Sequence, residues 1–250
     1  MIRFSNFEFK DKHWSPLSEV PFKMPLLQAH RGYWVEGERQ NSLLAFTAAY
    51  NVGFRMAEMD LRLTKDGQIV LFHDPGVYEV DHVTRVRNLT YEQLNSLVPV
   101  DTLDEVLKTL PKDMVLNLEL KNESRVDFSL EEKLVAYLKK TKQTERMIFS
   151  SFNPMSLMWM RKLVPEIPRA LLVTQEHEPW NSILLRELSL INLVKPHYLN
   201  LRWEDMDHYR DIPAERKVIW TLNDKNVAKT LLSRQKVFGI ISDSIKPNEL

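Results

Sequence analysis

The sequence predicts an α/β protein in which eight parallel strands alternate with outer helices to form a closed (β/α)8 barrel. Short apolar segments alternate with capped helical segments from residue 25 to the end, which is typical of repeated βα units around a parallel sheet. About eight parallel strands remain once the return arm of one hairpin is assigned to its partner, and 250 residues suffice for one such barrel. A doubly wound open sheet is the alternative, but no Gly-rich dinucleotide turn supports it. A TIM barrel is therefore expected.

The strand candidates are short apolar segments, many with the alternation of two expected for strands, and turn residues separate most of them. In chain order they are Leu26–His30, Arg55–Thr64 with its return arm Gln68–His73, Met114–Lys121, Met147–Phe152, Arg169–Thr174, Tyr198–Leu201, Val218–Leu222 and Gly239–Ser242.

Five helix starts carry residues that can satisfy the free amides of a first turn. Gly53 is placed to end the helix that runs from about Ser42. The predicted starts are Thr90 with Gln93, Thr102 with Glu105, Ser129 with Glu132, Asn153 before Pro154, and Asp224.

Composition excludes several classes of protein. The formal net charge is zero, so no basic field would recruit nucleic acid, and no segment approaches the length of a transmembrane span. The absence of cysteine excludes disulfides, thiolate nucleophiles and sulfur-ligated zinc. A cytoplasmic protein is expected, and its oligomeric state is left open.

Residues 1–24 form a leader that lacks the continuous apolar core of a secretory signal. We expect it to pack over one end of a single domain formed by residues 25–250. The aromatic residues on which this expectation rests are Phe4, Phe7, Phe9, Trp14 and Phe22.

A hairpin at Asp66-Gly67 is the most informative local feature. A two-residue turn there would place His73 directly opposite Asp60, and Glu58 shares that face through the period of two along a strand. A three-residue turn would instead rotate His73 to the opposite face. The other face is predicted to be apolar and buried, with Leu61, Leu63, Val70 and Phe72.

Polar residues collect at the carboxyl ends of the predicted strands, where barrel enzymes carry their catalytic groups. In residues 115–121 the leucines alternate with Asn117, Glu119 and Lys121, so these three face the barrel interior. Glu119 then converges with Glu58 and Asp60, and such an oxygen cluster suits Mg²⁺ or Ca²⁺ better than zinc. A buried salt-bridge cluster with Lys121 and Arg31 is the alternative.

Five side chains besides the three carboxylates belong to the same predicted rim. His30 and His73 are candidates for general acid and general base, although a lone strand histidine is often a core residue. Arg31 and Lys121 could hold a phosphate group, or could balance the carboxylates. Trp220 could stack on a small polyol or belong to the core.

Six motifs resemble those of the glycerophosphodiester phosphodiesterase family. They occur in the family's order and cover nearly the whole chain from about residue 27. The motifs are His30-Arg31-Gly32, Glu58-x-Asp60 leading into Thr64-Lys65-Asp66-Gly67, His73-Asp74, Leu118-Glu119-Leu120-Lys121, Trp220-Thr221-Leu222-Asn223-Asp224, and Gly239-Ile240-Ile241-Ser242-Asp243.

The resemblance implies a barrel enzyme that uses a divalent metal to hydrolyse glycerophosphodiesters to glycerol 3-phosphate and an alcohol. Two segments depart from the family pattern. Arg39-Gln40-Asn41-Ser42 stands where Pro-Glu-Asn-Thr is usual, and Glu79-Val80-Asp81 stands where Arg-x-Thr is usual. By motif, the resemblance implies metal ligands at Glu58, Asp60 and Glu119, acid and base at His30 and His73, phosphate contacts at Arg31 and Lys121, and a glycerol-side aromatic at Trp220.

Two rival functions stay open at this point. One is a phosphodiesterase of the lysophospholipase D type acting on a lipid, for which the sequence shows no amphipathic basic helix. The other is a non-catalytic barrel that binds a polyol phosphate.

Overall fold

The computed structural model describes residues 13–78, 82–178 and 181–250. The described strands form one large sheet and a separate two-stranded hairpin, β4 with β5. The strands are β1 Leu27–His30, β2 Met56–Leu63, β3 Ile69–Leu71, β4 Gly76–Tyr78, β5 Val83–Arg85, β6 Val115–Leu120, β7 Met147–Ser151, β8 Arg169–Val173, β9 Tyr198–Arg202, β10 Lys217–Trp220 and β11 Gly239–Ser242.

Eight of the described strands are parallel neighbours in the order β1, β2, β6, β7, β8, β9, β10, β11. The ring closes because β1 pairs with β11 on one side and with β2 on the other, where His30 lies beside Glu58. β3 runs antiparallel to β2 outside this ring. The closed (β/α)8 barrel predicted from the alternation of elements is confirmed.

The helices lie between successive strands, and most begin with a side chain that accepts from a first-turn amide. Thr90 and Thr102 form capping boxes with Gln93 and Glu105. Ser42, Asn153 and Asp224 also accept first-turn amides. The helices are α1 Leu43–Asn51, α2 Tyr91–Leu97, α3 Leu103–Thr109, α4 Ser129–Thr141, α5 Pro154–Leu163, α6 Ile183–Arg186, α7 Ile191–Val194 and α8 Lys225–Ser233.

The capping box predicted at Ser129 is wrong. Ser129 is already the first helical residue, and Phe128 precedes it with no side-chain cap. Asp127 takes the capping role from one residue further back, because its Oδ1 accepts from the Ser129 amide at 3.0 Å and also from the Ser129 hydroxyl.

The side chains of β6 point alternately to the core between the barrel and the helices and to the barrel interior. Leu116, Leu118 and Leu120 are buried in the large apolar core that includes helix residues. Asn117 points the other way and donates to Gln28 Oε1 across the barrel at 3.0 Å. The inward-facing positions of the strands therefore supply a layer of polar side chains inside the barrel.

The apolar floor is built from side chains near the starts of the strands. Met56, Val115 and Ile148 are among its buried members. Of the leader, Met24 is buried in this same cluster, and Leu17, Val20 and Phe22 pack against it. Phe4, Phe7 and Phe9 lie outside the described residues, as do Glu79, Val80 and Asp81.

The predicted register of the β2–β3 hairpin is wrong by one residue. Leu61 pairs with Leu71, so Asp60 lies opposite Phe72 and accepts the Phe72 amide at 3.0 Å. The turn holds three residues, 65–67, with Gly67 in the left-handed region at φ 80°. Three-residue hairpin loops commonly end on such a residue, which is why glycine suits this position.

The one-residue shift also changes which apolar side chains share a face. Val70 pairs with Arg62 rather than facing the outer core. It packs instead in a separate cluster with Val86, Leu94 and the partly buried Phe72.

Among the described helices, none is both long and apolar enough to cross a membrane.

Candidate active site

Three carboxyl groups meet at the carboxyl ends of β2 and β6. These strands pair in register, with Asp60 beside Glu119 and Glu58 beside Asn117. Glu58, Asp60 and Glu119 are at most 5% exposed, and each offers an oxygen within 4.8 Å of the others. The arrangement can hold a metal ion through hard oxygen ligands.

Two basic side chains contact the same cluster. Lys121 Nζ lies 3.0 Å from Asp60 Oδ1 and 2.5 Å from Glu119 Oε1, and Arg31 Nε lies 3.1 Å from Asp60 Oδ2. The salt bridges of the alternative hypothesis are therefore present, yet two positive charges face three carboxyl groups. Within the part of the chain that the structure describes, Glu58 Oε1 is buried without a hydrogen-bond partner, so the donor set retains an oxygen that suits a cation.

Burial and the charges of neighbouring side chains shift the pKa values of all three carboxyl groups. Burial raises the pKa of Glu58 well above its usual value, and the nearby Asp60 and Glu119 act in the same direction. Burial also acts to raise the pKa of Asp60, but Lys121 and Arg31 outweigh it and hold that pKa well below its usual range. Burial raises the pKa of Glu119 although Lys121 opposes it.

A tight left-handed turn after β1 places Arg31 against the cluster. Arg31 has φ 57° and Gly32 has φ 85°, and the Arg31 amide donates to Glu58 Oε2 at 3.1 Å. A Cβ on Gly32 would lie 2.7 Å from the Ala45 backbone of α1. Glycine is thus required both by the backbone angle and by the close approach of α1.

His30 lies on the inward face at the end of β1, 18% exposed. Its Nδ1 lies 2.7 Å from Asp243 Oδ1, and Asn223 Nδ2 donates to the other Asp243 oxygen at 2.8 Å. Hydrogen bonds from His30 and Asn223 hold the pKa of Asp243 below its usual value despite burial. The ionised carboxylate can only accept, so Nδ1 carries the proton and Nε2, 3.9 Å from Glu58 Oε2, is the unprotonated nitrogen of the neutral imidazole.

His73 reaches the same rim although the hairpin register differs from the prediction. β3 ends at Leu71, so strand alternation no longer fixes the direction of a side chain two residues later. Arg62 holds this segment, since its Nε and Nη2 donate to the His73 carbonyl at 3.0 and 2.7 Å. His73 Nδ1 lies 2.8 Å from Asp74 Oδ1, and the imidazole lines one cavity with Glu119 and Lys121.

The altered segment after the first motif makes specific contacts with the cluster. Asn41 Nδ2 donates to Asp60 Oδ2 at 2.6 Å, and the Asp60 amide donates to Asn41 Oδ1 at 3.0 Å. Gln40 Oε1, which stands where the family pattern has glutamate, accepts from Arg31 Nη1 at 2.9 Å. The amide at position 40 therefore keeps an acceptor for Arg31 without adding a negative charge.

Trp220 faces the barrel interior at the end of β10. Its Nε1 donates to the Asn200 carbonyl at 2.9 Å, and its ring meets Phe152 edge to face with centroids 5.5 Å apart. The centroid of the Phe152 ring in turn lies 6.0 Å from Lys121 Nζ. The Phe152 ring thus lies between Trp220 and Lys121.

Sequence reasoning assigned no role to three residues of this site, Asn41, Arg62 and Asp243. Arg62 lies on the same inward face of β2 as Glu58 and Asp60, so the alternation of the strand was a usable signal for it. Asp243 directly follows the last barrel strand, so its position at a strand end was a usable signal. Asn41 follows no strand and has φ 55°, and its contact with Asp60 could not be read from a spacing.

The fold and the site together define a class of protein. A barrel with an acidic cluster, two imidazoles backed by carboxylates, and two phosphate-suited cations on one rim is typical of a phosphodiester hydrolase. Comparison with known proteins agrees: a model of the glycerophosphoryl diester phosphodiesterase family matches residues 30–246. The chain belongs to this family.

Individual relatives match over nearly their whole length. A glycerophosphodiester phosphodiesterase of Caldanaerobacter subterraneus is 30% identical over 87% of this chain and 93% of its own. One of Bacillus altitudinis is 31% identical over 88% of this chain and 95% of its own. The chain is accordingly an enzyme, a phosphoric diester hydrolase, and the non-catalytic alternative is set aside.

A solved structure shares the fold. An Oleispira antarctica phosphodiesterase in complex with the product sn-glycerol-3-phosphate superposes with a TM-score of 0.67 at 26% identity, covering 88% of this chain and 93% of that one.

Proposed function

We propose that this enzyme hydrolyses glycerophosphodiesters to sn-glycerol 3-phosphate and an alcohol, with a divalent metal and with His30 and His73 as the acid–base pair. The convergence of a buried acidic triad with two carboxylate-backed imidazoles on one barrel rim supports this proposal most directly.

Glu58, Asp60 and Glu119 are the residues that would hold the metal. Their donor atoms are all carboxylate oxygens, which fits Mg²⁺ or Ca²⁺. A divalent cation bound there would supply Lewis-acid polarisation of a phosphoryl oxygen and would neutralise negative charge.

Arg31 and Lys121 are the proposed phosphate contacts. Both side chains already lie at the carboxylate cluster, 17% and 13% exposed. Burial acts against the charge on Lys121, but Glu119 and Asp60 outweigh it and raise its pKa, so it stays cationic. Cations fixed in a largely water-excluded site stabilise the charge that develops on the phosphoryl oxygens in the transition state.

The two histidines would divide the proton transfers. In each, a carboxylate next to Nδ1 leaves Nε2 for exchange with the substrate. Burial, with Lys121, lowers the pKa of His73 to about 4, so its imidazole is neutral near pH 7. One histidine would accept a proton from the attacking oxygen, and the other would protonate the departing alkoxide, which is a poor leaving group.

Trp220 is the proposed wall for the glycerol portion. Its indole N–H is already satisfied by Asn200, which leaves the ring available for stacking rather than hydrogen bonding. The Oleispira antarctica phosphodiesterase, whose crystal structure contains sn-glycerol-3-phosphate, supports the choice of product.

The test is identification of the products. Purified enzyme is incubated with glycerophosphocholine and either Mg²⁺ or Ca²⁺, and sn-glycerol 3-phosphate and choline are quantified separately. We expect equimolar release of the two. Formation of phosphocholine and glycerol would mean that the other phosphoester bond is cleaved, and no product with either metal would refute the proposal.

A further inference from the structure

A buried carboxyl group that the proposed mechanism does not use lies behind the loop that follows β6. Glu131, in the first turn of α4, is fully buried. The donors that the structure shows for it are neutral, the Ser156 hydroxyl and the Asn122 amide. Burial raises the pKa of Glu131, while these two hydrogen-bonding groups act to lower it. A carboxyl group buried among neutral partners is tolerated only where such donors satisfy it.

The side-chain amide of Asn122 joins this carboxyl group to the loop. Asn122 Nδ2 lies 3.0 and 2.9 Å from the two Glu131 oxygens, and it also donates to the Asp127 carbonyl at 2.8 Å. On its other side, Asn122 Oδ1 accepts the Ser124 amide at 2.9 Å. The orientation of the Asn122 amide is therefore fixed, with its donor atom toward Glu131 and its acceptor atom toward the loop.

The backbone of the same loop is held by two further side chains. The Ser151 hydroxyl donates to the Leu120 carbonyl at 2.8 Å. Asn153 Nδ2 donates to the carbonyls of Asn122 and Ser124 at 2.9 and 2.7 Å. Asn122 is thus bound through its side chain to the start of α4 and through its carbonyl to the start of α5.

Lys121, a proposed phosphate contact, lies between the attachment points at Leu120 and Asn122. Its Nζ lies 3.0 Å from Asp60 Oδ1. We propose that Glu131 is a positioning residue for the reaction, which holds the loop through Asn122 in the place from which Lys121 reaches the phosphate. The role rests on the proposed function, because that proposal makes Lys121 a phosphate contact.

The contact between Asn122 and Glu131 can be broken and then restored. Asn122→Asp places two carboxyl groups against each other on the buried side of the loop, where like charges repel and burial disfavours both. Adding Glu131→Gln exchanges the amide and the carboxyl group between the two positions. The double variant again pairs a donor with an acceptor, and it has the net charge of the wild type.

The experiment measures kcat/KM for glycerophosphocholine and the inhibition constant of added sn-glycerol 3-phosphate, which reports on the phosphate contacts. We expect Asn122→Asp to lower kcat/KM about 100-fold, as for a misplaced active-site group, and to raise the inhibition constant about ten-fold. The double variant should recover to within about five-fold of the wild type in both quantities, because the two positions are coupled.

Tyr137→Phe is the control for a general loosening of α4. The Tyr137 hydroxyl donates to Asp104 Oδ1 at 2.9 Å and so joins α4 to α3, away from the loop. Tyr137→Phe should keep kcat/KM within about two-fold of the wild type.

Asn122→Ala replaces Asn122→Asp if circular dichroism shows that the aspartate variant does not fold. It removes the donor without adding a second carboxyl group. We expect it to lower kcat/KM about ten-fold, the effect of losing a hydrogen bond to a buried acceptor.

The results distinguish the positioning role from the proposed function. Wild-type turnover with no recovery in the double variant would overturn the positioning role alone, because the charge added at residue 122 would then explain the loss. Near-normal kcat/KM in the folded Asn122 variant, or an equal fall in Tyr137→Phe, would also overturn it. Absence of product from the wild type with either metal would refute the proposed function, and the positioning role with it.

Discussion

The guanidinium of Arg62 donates two hydrogen bonds to the backbone carbonyl of His73, with Nε and Nη2 at 3.0 and 2.7 Å from that oxygen. Its remaining nitrogen, Nη1, lies 3.3 Å from the Lys121 carbonyl. Arg62 therefore ties the segment that carries one proposed catalytic imidazole to the segment that carries a proposed phosphate contact.

Arg62→Lys should lower kcat for glycerophosphocholine more than it changes KM. Lysine cannot make the paired hydrogen bonds to His73, and misplacement of a catalytic group by about 1 Å can cost about 100-fold in rate. Steady-state kinetics measure the split. We expect kcat to fall about 10- to 100-fold, with KM within about three-fold.

Arg146→Lys is the control for this effect. Arg146 also clamps backbone carbonyls, those of Pro111 and Met114, but at the other end of the barrel. Both variants should lose about 1–3 kcal/mol of unfolding free energy, yet only Arg62→Lys should lose turnover. A normal kcat in Arg62→Lys, or an equal fall in both variants, would contradict the positioning role.

His73→Ala should lower kcat by about 10²- to 10⁴-fold, the usual contribution of general acid–base catalysis. The imidazole lies at the surface of the cavity, 38% exposed, so the fold should tolerate its removal. His208→Ala is the control, because that imidazole pairs with Glu187 outside the site. Near-normal turnover in His73→Ala would remove His73 from the proposed mechanism.

Metal binding should be measurable without catalysis. A ligand present at 100 times its Kd stabilises the folded state by about 2.7 kcal/mol, which is about 5–10 °C in Tm for a chain of this size. Thermal unfolding with and without Mg²⁺ or Ca²⁺ should show this increase in the wild-type enzyme.

Glu119→Gln should abolish most of that increase in Tm because it removes one ligand of the triad. Asp113→Asn is the matched control, since Asp113 is 59% exposed and pairs with Arg55 away from the cluster. Retention of the full increase in Glu119→Gln would place the metal elsewhere.

His197 should make stability fall as the solution becomes acidic. It is buried, its Nδ1 accepts the Arg169 amide at 3.1 Å, and burial with Arg169 and Arg216 lowers its pKa to about 3. The unfolded state, with a histidine pKa near 6.5, therefore binds the proton more tightly between pH 6.5 and 3. The contribution of the neutral His197 to the free energy of unfolding is intact above pH 6.5. Below that pH it falls by about 1.4 kcal/mol per pH unit.

Urea unfolding of the wild type and His197→Gln at pH 7.5 and 5.5 measures this contribution. The wild type should lose more unfolding free energy than the variant over that interval, by about 1–1.5 kcal/mol. His208→Gln, with 41% of its side chain exposed, should behave as the wild type. Parallel pH dependence in all three proteins would contradict the assignment.

The barrel and the acidic triad could be predicted because both depend on local periodicity. Alternation fixes the inward faces of β2 and β6, and capping residues mark Thr90, Thr102 and Asp224 as helix starts. The Ser129 box failed because Asp127, two residues before Ser129, offers a competing acceptor.

The hairpin register could not be read from the Asp-Gly pair alone. In a two-residue turn Lys65 would pair with Gln68, whereas in a three-residue turn Lys65 belongs to the loop. The structure has the three-residue turn because the Thr64 amide donates to the Gln68 carbonyl and the Thr64 hydroxyl accepts from the Gln68 amide. His73 does not lie opposite Asp60 as predicted, but it still reaches the rim of the site because Arg62 donates two hydrogen bonds to its carbonyl. Long-range contacts of this kind leave no spacing in the sequence.

Removal of metal by chelation is the sharpest test of metal-dependent hydrolysis at the triad. The rate of sn-glycerol 3-phosphate release from glycerophosphocholine is measured for the purified enzyme, after exhaustive chelation and removal of the chelator, and after Mg²⁺ or Ca²⁺ is added back. We expect the rate to fall to background on chelation and to recover with one of the two ions. A rate that persists in enzyme shown by elemental analysis to be free of metal would contradict metal-dependent hydrolysis.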